Sequence, residues 1–183
     1  ESILSEHRYR NGQVNGYASR LHYFSDWVGD NHRRGLVRDI SRELHGIVDT
    51  EAVDFMSTHT DAYAQLVDIS NISLIKGTEE RLSAADRVYI PEDRIDGVVQ
   101  EIHDGDIIAA TSALAGLDVA HTGLALWIDE TLHLLHAPLV GEAVQISETS
   151  LAERINKIEG QDGIIIARPQ DEPPRETTSA REE

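Results

Sequence analysis

Hydrophobic and polar positions follow their most regular pattern between residues 104 and 137, DGDIIAATSALAGLDVAHTGLALWIDETLHLLHA. Runs rich in Ile, Leu and Ala that are bounded by Gly and Asp are typical of buried strands. The pattern predicts a strand that opens at Asp106 and then a loop around Gly116. Two further strands follow, joined by a tight turn at Asp129 and Glu130.

The pairing of these last two strands can be predicted because successive side chains of a strand point to opposite faces. If residues 129 and 130 form a two-residue hairpin loop, Ile128 pairs with Thr131 and Gly123 pairs with His136. A three-residue loop would shift this register by one position and reverse the faces of one strand.

In the two-residue register, two histidines share one face of the hairpin. His121 lies one diagonal step from His136, about 7–8 Å away and within reach of long side chains, whereas His133 points to the other face. Gly123 and Ala125 lie between them on the shared face and leave room for another element to approach. A histidine base needs such room, because its nucleophile must come within hydrogen-bond distance.

Helical spacing of Tyr17, Leu21, Phe24 and Val28 predicts an amphipathic helix from residue 17 to about residue 34. Weaker patterns predict a helix over 71–84 and an interior strand over 163–168, GIIIAR. Residues 1–169 are therefore expected to form a single domain, and the acidic segment 170–183 a disordered tail.

Composition and charge exclude several classes of partner. Hydrophobic residues make up 40% of the 183 residues, so a core is available, but no run approaches the roughly 20 apolar residues that span a bilayer. The net charge of −17 argues against nucleic acid and against anionic membranes. Almost all basic residues are arginine, with only Lys76 and Lys157 as exceptions, and together with the acidic surface this suggests adaptation to salt. The alternative is a merely acidic, soluble protein.

Three motifs carry a resemblance to a known family. They are GDII…GLDVAHTGLAL…LHLLHA, the segment RYRNGQVNGYASRLHYFSDW from Arg8 to Trp27, and the YIP at Tyr89 to Pro91. The chain resembles the DUF1460 family, described as N-acetylmuramoyl-L-alanine amidase-like, a branch of the NlpC/P60 papain-like cysteine peptidases. The similarity extends over almost the whole chain up to Pro169.

The resemblance implies an α+β, papain-like NlpC/P60-type fold, with an antiparallel sheet of about five or six strands packed against helices. It also implies a cysteine amidase or peptidase that acts on an amide bond of peptidoglycan or muropeptides. His121 would be the base and His136 the residue that orients it. No cofactor is expected, and the protein is expected to be a monomer in the cell envelope, either periplasmic or secreted.

The resemblance does not identify a nucleophile among these residues, because the chain contains no Cys. In the family the catalytic Cys lies before the RYRNG motif, at a distance that places it upstream of Glu1. The expectation is therefore that a preceding segment supplies both the Cys and a secretory signal. An evolutionary loss of the Cys is the alternative, and it would leave a binding module without catalysis.

The aromatic segment before residue 34 supplies candidate substrate-binding residues. Tyr17, Arg20, His22 and Tyr23 could face a cleft that holds a peptide or a sugar, and the guanidinium of Arg20 suits a substrate carboxylate. The alternative is that the aromatic side chains of this segment are core residues and nothing more.

Two other groups of residues have more than one possible role. Asp118, three residues before His121, could cap a turn, hold arginine side chains or take part in catalysis. His133 and His136 form an HxxH pattern, but on a strand they point to opposite faces, so one zinc ion cannot easily bind both. A metal-dependent hydrolase built on His121, His136 and a distant carboxylate is the third hypothesis, although no metal site is expected.

Overall fold

The structure is a computed structural model that describes residues 2–139 and 143–171. This part of the chain forms five helices, eight strands and several short 3₁₀ turns. The helices are α1 (Ser2–Arg8), α2 (Phe24–Arg33), α3 (Phe55–Thr58), α4 (Ile69–Ser83) and α5 (Leu151–Lys157). The strands are β1 (Val37–Asp39), β2 (Ile47–Asp49), β3 (Arg87–Pro91), β4 (Ile107–Ser112), β5 (Val119–Ile128), β6 (Thr131–His136), β7 (Gln145–Ile146) and β8 (Gln161–Pro169).

All of these strands join one antiparallel sheet, in which seven follow the order β2-β3-β8-β4-β5-β6-β7 and β1 pairs with β8 off this path. The strand β8 is central, because it pairs with β4 along one side and with β3 and β1 along the other. Its run of three isoleucines, Ile164 to Ile166, is buried, as the continuous apolar pattern predicted.

The β5–β6 hairpin has the predicted register. Ile128 pairs with Thr131 and Gly123 pairs with His136. Asp129 and Glu130 have φ angles of 45° and 65°, and a type I′ turn requires positive φ at both of its central residues. The two-residue loop is therefore confirmed, and it places His121 and His136 on one face of the sheet.

This face of the sheet carries the largest part of the core. Ile108, Ala110, Ala125, Leu134 and other apolar residues of the central strands pack there against α5. The opposite face is covered by α2, whose Val28 packs with residues of β1 and β8. A separate cluster lies under α4, around Tyr23, Leu66 and Ile75.

The α+β architecture with an antiparallel sheet is confirmed, and the sheet has eight strands where about five or six were expected. Three of the strands, β1, β2 and β7, have only two or three residues each.

The predicted helix from residue 17 is wrong in its first part. A 3₁₀ turn covers Tyr17–Ser19, and a backbone bridge between Tyr9 and Arg20 keeps the next residues extended, so α2 begins only at Phe24. The helix predicted over 71–84 is confirmed as α4, whose N-terminus is capped by Asp68.

Part of the predicted tail, residues 172–183, lies outside the described residues. Among the helices that the structure describes, none has both the length and the apolar character needed to cross a membrane.

Candidate active site

The two histidines of the hairpin contact each other directly. His121 Nε2 and His136 Nδ1 are 2.9 Å apart, within hydrogen-bond distance, and the ring planes are nearly perpendicular, at 86°. One of these nitrogens must carry the proton and the other must accept it, so the contact fixes complementary tautomers for the two rings. The second ring nitrogen of each imidazole remains available for other partners.

Burial and neighbouring charge favour the neutral form of both imidazoles. Burial lowers the pKa of His121, and the positive charge of Arg154 and of a protonated His136 lowers it further. Burial also lowers the pKa of His136, again with a contribution from Arg154. A neutral imidazole near pH 7 is the form that can accept a proton.

A cleft of about 660 Å³ opens beside His121. Aromatic and apolar side chains make up most of its wall, with a few polar groups among them, as is common for sites that bind small organic ligands. The residues that line it are Leu21, His22, Tyr23, Phe24, Trp27, Met56, Tyr63, Ile107, Leu117, Asp118, Val119, Ala120, His121, Thr122 and Ala137.

Asp118 joins the strand that carries His121 to the helix that forms the opposite wall. Its carboxylate is buried and accepts a hydrogen bond of 2.7 Å from the backbone N–H of Ser25, in the first turn of α2. Burial raises the pKa of Asp118, while the Ser25 and Val119 backbone N–H groups act in the opposite direction. Of the roles left open by the sequence, the structure supports a capping contact for Asp118.

A second buried polar contact fixes the floor of the cleft. The Tyr23 hydroxyl donates to Glu79 Oε1 at 2.7 Å and accepts from the backbone N–H of Met56 at 2.8 Å. The same Glu79 oxygen accepts from the backbone N–H of Ser57. Because Tyr23 is only 3% exposed and its hydroxyl has these partners, only its ring can face a ligand.

Only two of the four residues that the sequence predicted for substrate binding line the cleft. His22 and Tyr23 line the cleft, whereas Tyr17 and Arg20 are not among its lining residues. Tyr17 packs against the His22 ring, with 4.5 Å between the ring centroids, and its carbonyl oxygen accepts a hydrogen bond of 3.1 Å from His22 Nε2. Arg20 is exposed, and it lies in an extended segment rather than in the predicted helix.

His133 does not join the other two histidines. It points to the opposite face of the hairpin, where its Nδ1 lies 2.9 Å from the Ser147 carbonyl oxygen. Within residues 2–139 and 143–171, no group of three or more His, Cys, Asp or Glu residues is arranged to hold a metal ion. The HxxH pattern therefore does not form a zinc site with both histidines on one side.

Sequence reasoning missed two groups of residues near the histidine pair. Phe24 and Trp27, stacked with 5.3 Å between ring centroids, form part of the cleft wall, and helical spacing had marked Phe24 only as a core position. Arg154 on α5 acts electrostatically on both imidazoles. No local motif marks this arginine, because its position depends on how α5 packs on the sheet.

Residues 1–164 match the model of the AmiA-like family, which is described as N-acetylmuramoyl-L-alanine amidase-like. A solved N-acetylmuramoyl-L-alanine amidase from Bacteroides uniformis is 34% identical in sequence, with a TM-score of 0.88, over 93% of this chain and 73% of the amidase.

A solved structure from Bacteroides fragilis, named as a candidate xylanase, is 35% identical, with a TM-score of 0.87, over 91% of this chain and 74% of that protein. A Legionella pneumophila protein assigned to DUF1460 shares the fold, with a TM-score of 0.68 and 20% identity, over 92% of this chain and 68% of its own. No curated protein matches the sequence significantly.

Proposed function

The chain belongs to the AmiA-like family of N-acetylmuramoyl-L-alanine amidase-like proteins, and on this basis we propose that it is a cell-wall hydrolase that cleaves an amide bond of peptidoglycan or of muropeptides. The observation that carries the proposal is the 2.9 Å contact between His121 and His136 at the edge of an aromatic cleft. A base whose second nitrogen is held by another side chain is the arrangement that amide hydrolysis by a nucleophile requires.

In the proposed mechanism, His121 acts through its Nδ1 atom. Its Nε2 atom is engaged by His136, so Nδ1 is the nitrogen left to accept a proton. For this to be so, Nε2 must carry the hydrogen and donate it to Nδ1 of His136, whose own hydrogen is then on its Nε2. His136 thereby selects the reactive tautomer of His121 and orients its ring.

The proposed nucleophile is a cysteine thiol of the NlpC/P60 type, supplied by residues upstream of Glu1, because the 183 residues contain no Cys. A helix N-terminus close to a histidine lowers the pKa of such a thiol. On their own, these 183 residues would bind substrate without hydrolysing it.

The chemical steps follow from these roles. His121 takes the thiol proton as sulfur attacks the amide carbonyl carbon, and the resulting tetrahedral intermediate loses the amine, which leaves with the proton from His121. The acyl group remains on sulfur as a thioester. Water then attacks the thioester, His121 takes the proton of that water and returns it to the departing thiolate, and the carboxylic acid is released.

The cleft supports a substrate with both apolar and polar surface. Phe24 and Trp27 offer ring faces on which the apolar side of a sugar or a peptide side chain can pack, next to the polar edge formed by His22 and His121. Because peptidoglycan lies outside the cytoplasmic membrane, the proposed place of action is the cell envelope, in the periplasm or after secretion.

A binding module without catalysis is the second candidate, and the lack of any Cys in the 183 residues is the observation that favours it. Such a protein would use the same cleft for muropeptides. The two candidates differ in the residues encoded upstream of Glu1 and in whether substrate is consumed.

The test uses a chain extended by the residues that precede Glu1 in its gene, incubated with purified muropeptides, with products identified by mass spectrometry. We expect release of the peptide or of one of its residues, and complete loss of this release after alkylation of the cysteine by iodoacetamide. Hydrolysis that survives alkylation, or unchanged muropeptides together with measurable binding, would contradict the cysteine mechanism.

A further inference from the structure

His22 lies in the wall of the cleft that also contains His121, but the chemical steps proposed above do not use it. Its side chain is half-buried, and two contacts with Tyr17 hold the ring in place. The two rings pack with 4.5 Å between their centroids, and His22 Nε2 lies 3.1 Å from the Tyr17 carbonyl oxygen. The orientation of the His22 ring therefore depends on the position of Tyr17.

The backbone of Tyr17 is itself fixed by the fold. Tyr17 opens a 3₁₀ turn, and its carbonyl oxygen also accepts from the backbone N–H of Arg20 at 3.2 Å. Arg20 in turn forms the backbone bridge with Tyr9. Tyr17 does not line the cleft, so its contribution to the site consists in holding His22.

The contact with Tyr17 determines the tautomer of His22. A carbonyl oxygen can only accept a hydrogen bond, so Nε2 must carry the hydrogen. In a neutral imidazole the other nitrogen then has no hydrogen, and Nδ1 is an acceptor. Burial lowers the pKa of His22 despite the opposing effect of the Tyr17 carbonyl, and this favours the neutral ring at pH 7.

The Nδ1 atom of His22 has no hydrogen-bond partner within residues 2–139 and 143–171. Within the same ranges, the polar side-chain atoms that are both buried and unpartnered are Ser25 Oγ, Asn31 Oδ1 and Arg87 Nε. Because His22 Nδ1 is not one of them, solvent reaches it. The wall of the cleft thus contains an acceptor atom of fixed orientation that the protein leaves unused.

The other acceptors among the side chains that line the cleft differ from His22 Nδ1. The Asp118 carboxylate is buried and already accepts from a backbone N–H, and the Tyr23 hydroxyl has two protein partners. The hydroxyl groups of Tyr63 and Thr122 can donate as well as accept, so they do not select for one kind of group.

We propose that His22 is a specificity-determining residue of the candidate active site, whose Nδ1 atom accepts a hydrogen bond from an N–H or O–H group of the substrate. The inference rests on the proposed function, because it concerns the muropeptide bound in the same cleft. A muropeptide carries such donors in the amide groups of its peptide and in the hydroxyl groups of its sugars. A carboxylate or carbonyl oxygen in the same place would face the lone pair of Nδ1 with no hydrogen between them, so the site selects against it.

The test measures binding to the 183-residue chain by isothermal titration calorimetry. His22→Gln keeps an N–H group that can donate to the Tyr17 carbonyl but has no acceptor in the place of Nδ1. His103→Gln, at an exposed histidine that does not line the cleft, is the matched control. The probes are N-acetylmuramoyl-L-alanyl-D-isoglutamine and a set of its analogues, each methylated at one amide nitrogen or at one sugar hydroxyl.

We expect His22→Gln to weaken binding of the unmodified probe about 2–10-fold, the effect of one lost hydrogen bond, and His103→Gln to leave it unchanged. One methylated analogue should bind the parent chain more weakly by a similar factor. It should lose nothing further in His22→Gln, because both changes remove the same hydrogen bond. A methylated nitrogen that behaves in this way identifies a peptide N–H as the donor, and a methylated oxygen identifies a sugar hydroxyl.

Nitrogen-15 NMR of the parent chain tests the same claim without a variant, and it replaces His22→Gln if circular dichroism shows that this variant does not fold. The spectrum should show a hydrogen on Nε2 of His22 and none on Nδ1. Addition of the unmodified probe should move the Nδ1 resonance upfield, because Nδ1 then accepts a hydrogen bond.

Three results would overturn the proposal: a hydrogen on Nδ1, an Nδ1 resonance that does not move when the probe binds, or losses that add for every analogue. Each of these leaves the proposed function intact, because the probe still binds. If the parent chain bound none of the probes, the proposed function would fail and this inference with it.

Discussion

At the scale of single residues, the contact between His121 Nε2 and His136 Nδ1 determines which nitrogen can act as a base. In the proposed mechanism, His136 acts only through the hydrogen bond that it accepts. Its contribution should therefore be restored by another acceptor in the same place, which is not expected of a residue that is needed for packing alone.

We expect His136→Ala to lower kcat in the extended chain by about 10²-fold with little change in KM, because the His121 ring loses its orientation and its tautomer. His136→Asn places an amide oxygen near the former Nδ1 atom and should recover about tenfold of that loss. Steady-state kinetics at the pH optimum provide the measurement. Equal rates for the Ala and Asn variants would contradict the role assigned to His136.

Tyr23 illustrates a residue whose importance is structural although it lies at the cleft. Tyr23→Phe removes the acceptor of the Met56 N–H and the donor to Glu79, which leaves buried polar groups unpaired. We expect a loss of about 1–3 kcal/mol in the free energy of unfolding, measured by urea denaturation. Glu79→Gln, which keeps an oxygen acceptor, should cost less, and a larger loss for this variant would contradict the assignment.

At the scale of elements, the β5–β6 hairpin brings the two histidines together. Its register depends on the number of residues in the turn, and a change of one residue moves a strand's side chains to the other face. The two-residue loop at Asp129 and Glu130 is thus as important for the pair as the histidines themselves.

Insertion of one glycine between Asp129 and Glu130 should separate the imidazoles and lower hydrolysis by the extended chain at least about 100-fold. The control variant, Asp129→Asn with Glu130→Gly, keeps two residues in the loop and relieves the positive φ of Glu130. It should retain activity and gain about 1 kcal/mol of stability. Full activity after the insertion would show that the register does not position the pair.

The hairpin could be predicted because its information is local: a turn, two alternating strands and two histidines at fixed distances in sequence. The segment before Phe24 could not, because its helical spacing was outweighed by a backbone bridge between Tyr9 and Arg20, residues that are eleven positions apart. Arg154 was missed for a related reason. Its position results from the packing of α5 on the sheet, which no pattern within α5 encodes.

At the scale of the whole molecule, the net charge of −17 causes electrostatic repulsion among the acidic side chains, and this repulsion opposes the compact state. Some carboxylates have arginine partners, such as Asp26 with Arg10 and Arg81, and Asp106 with Arg168. With 33 acidic and 16 basic residues, about half of the carboxylates nevertheless have no basic residue to balance their charge.

We therefore expect added KCl to stabilise the protein, since salt shortens the range of the repulsion from about 10 Å at 0.1 M to about 3 Å at 1 M. The midpoint of thermal unfolding should rise by several degrees over this range. A flat response of the midpoint to KCl would contradict both the role of the repulsion and the suggested adaptation to salt.

In the proposed mechanism, amide cleavage depends on His121 as the base that makes the nucleophile reactive. The most direct measurement compares muropeptide hydrolysis by the extended chain with that of its His121→Ala and His133→Ala variants, the second of which removes an imidazole from the opposite face of the same hairpin. We expect His121→Ala to lose at least about 10³-fold in kcat while still binding muropeptide, and His133→Ala to remain within about threefold of the parent. Comparable hydrolysis by the parent and His121→Ala would contradict the account.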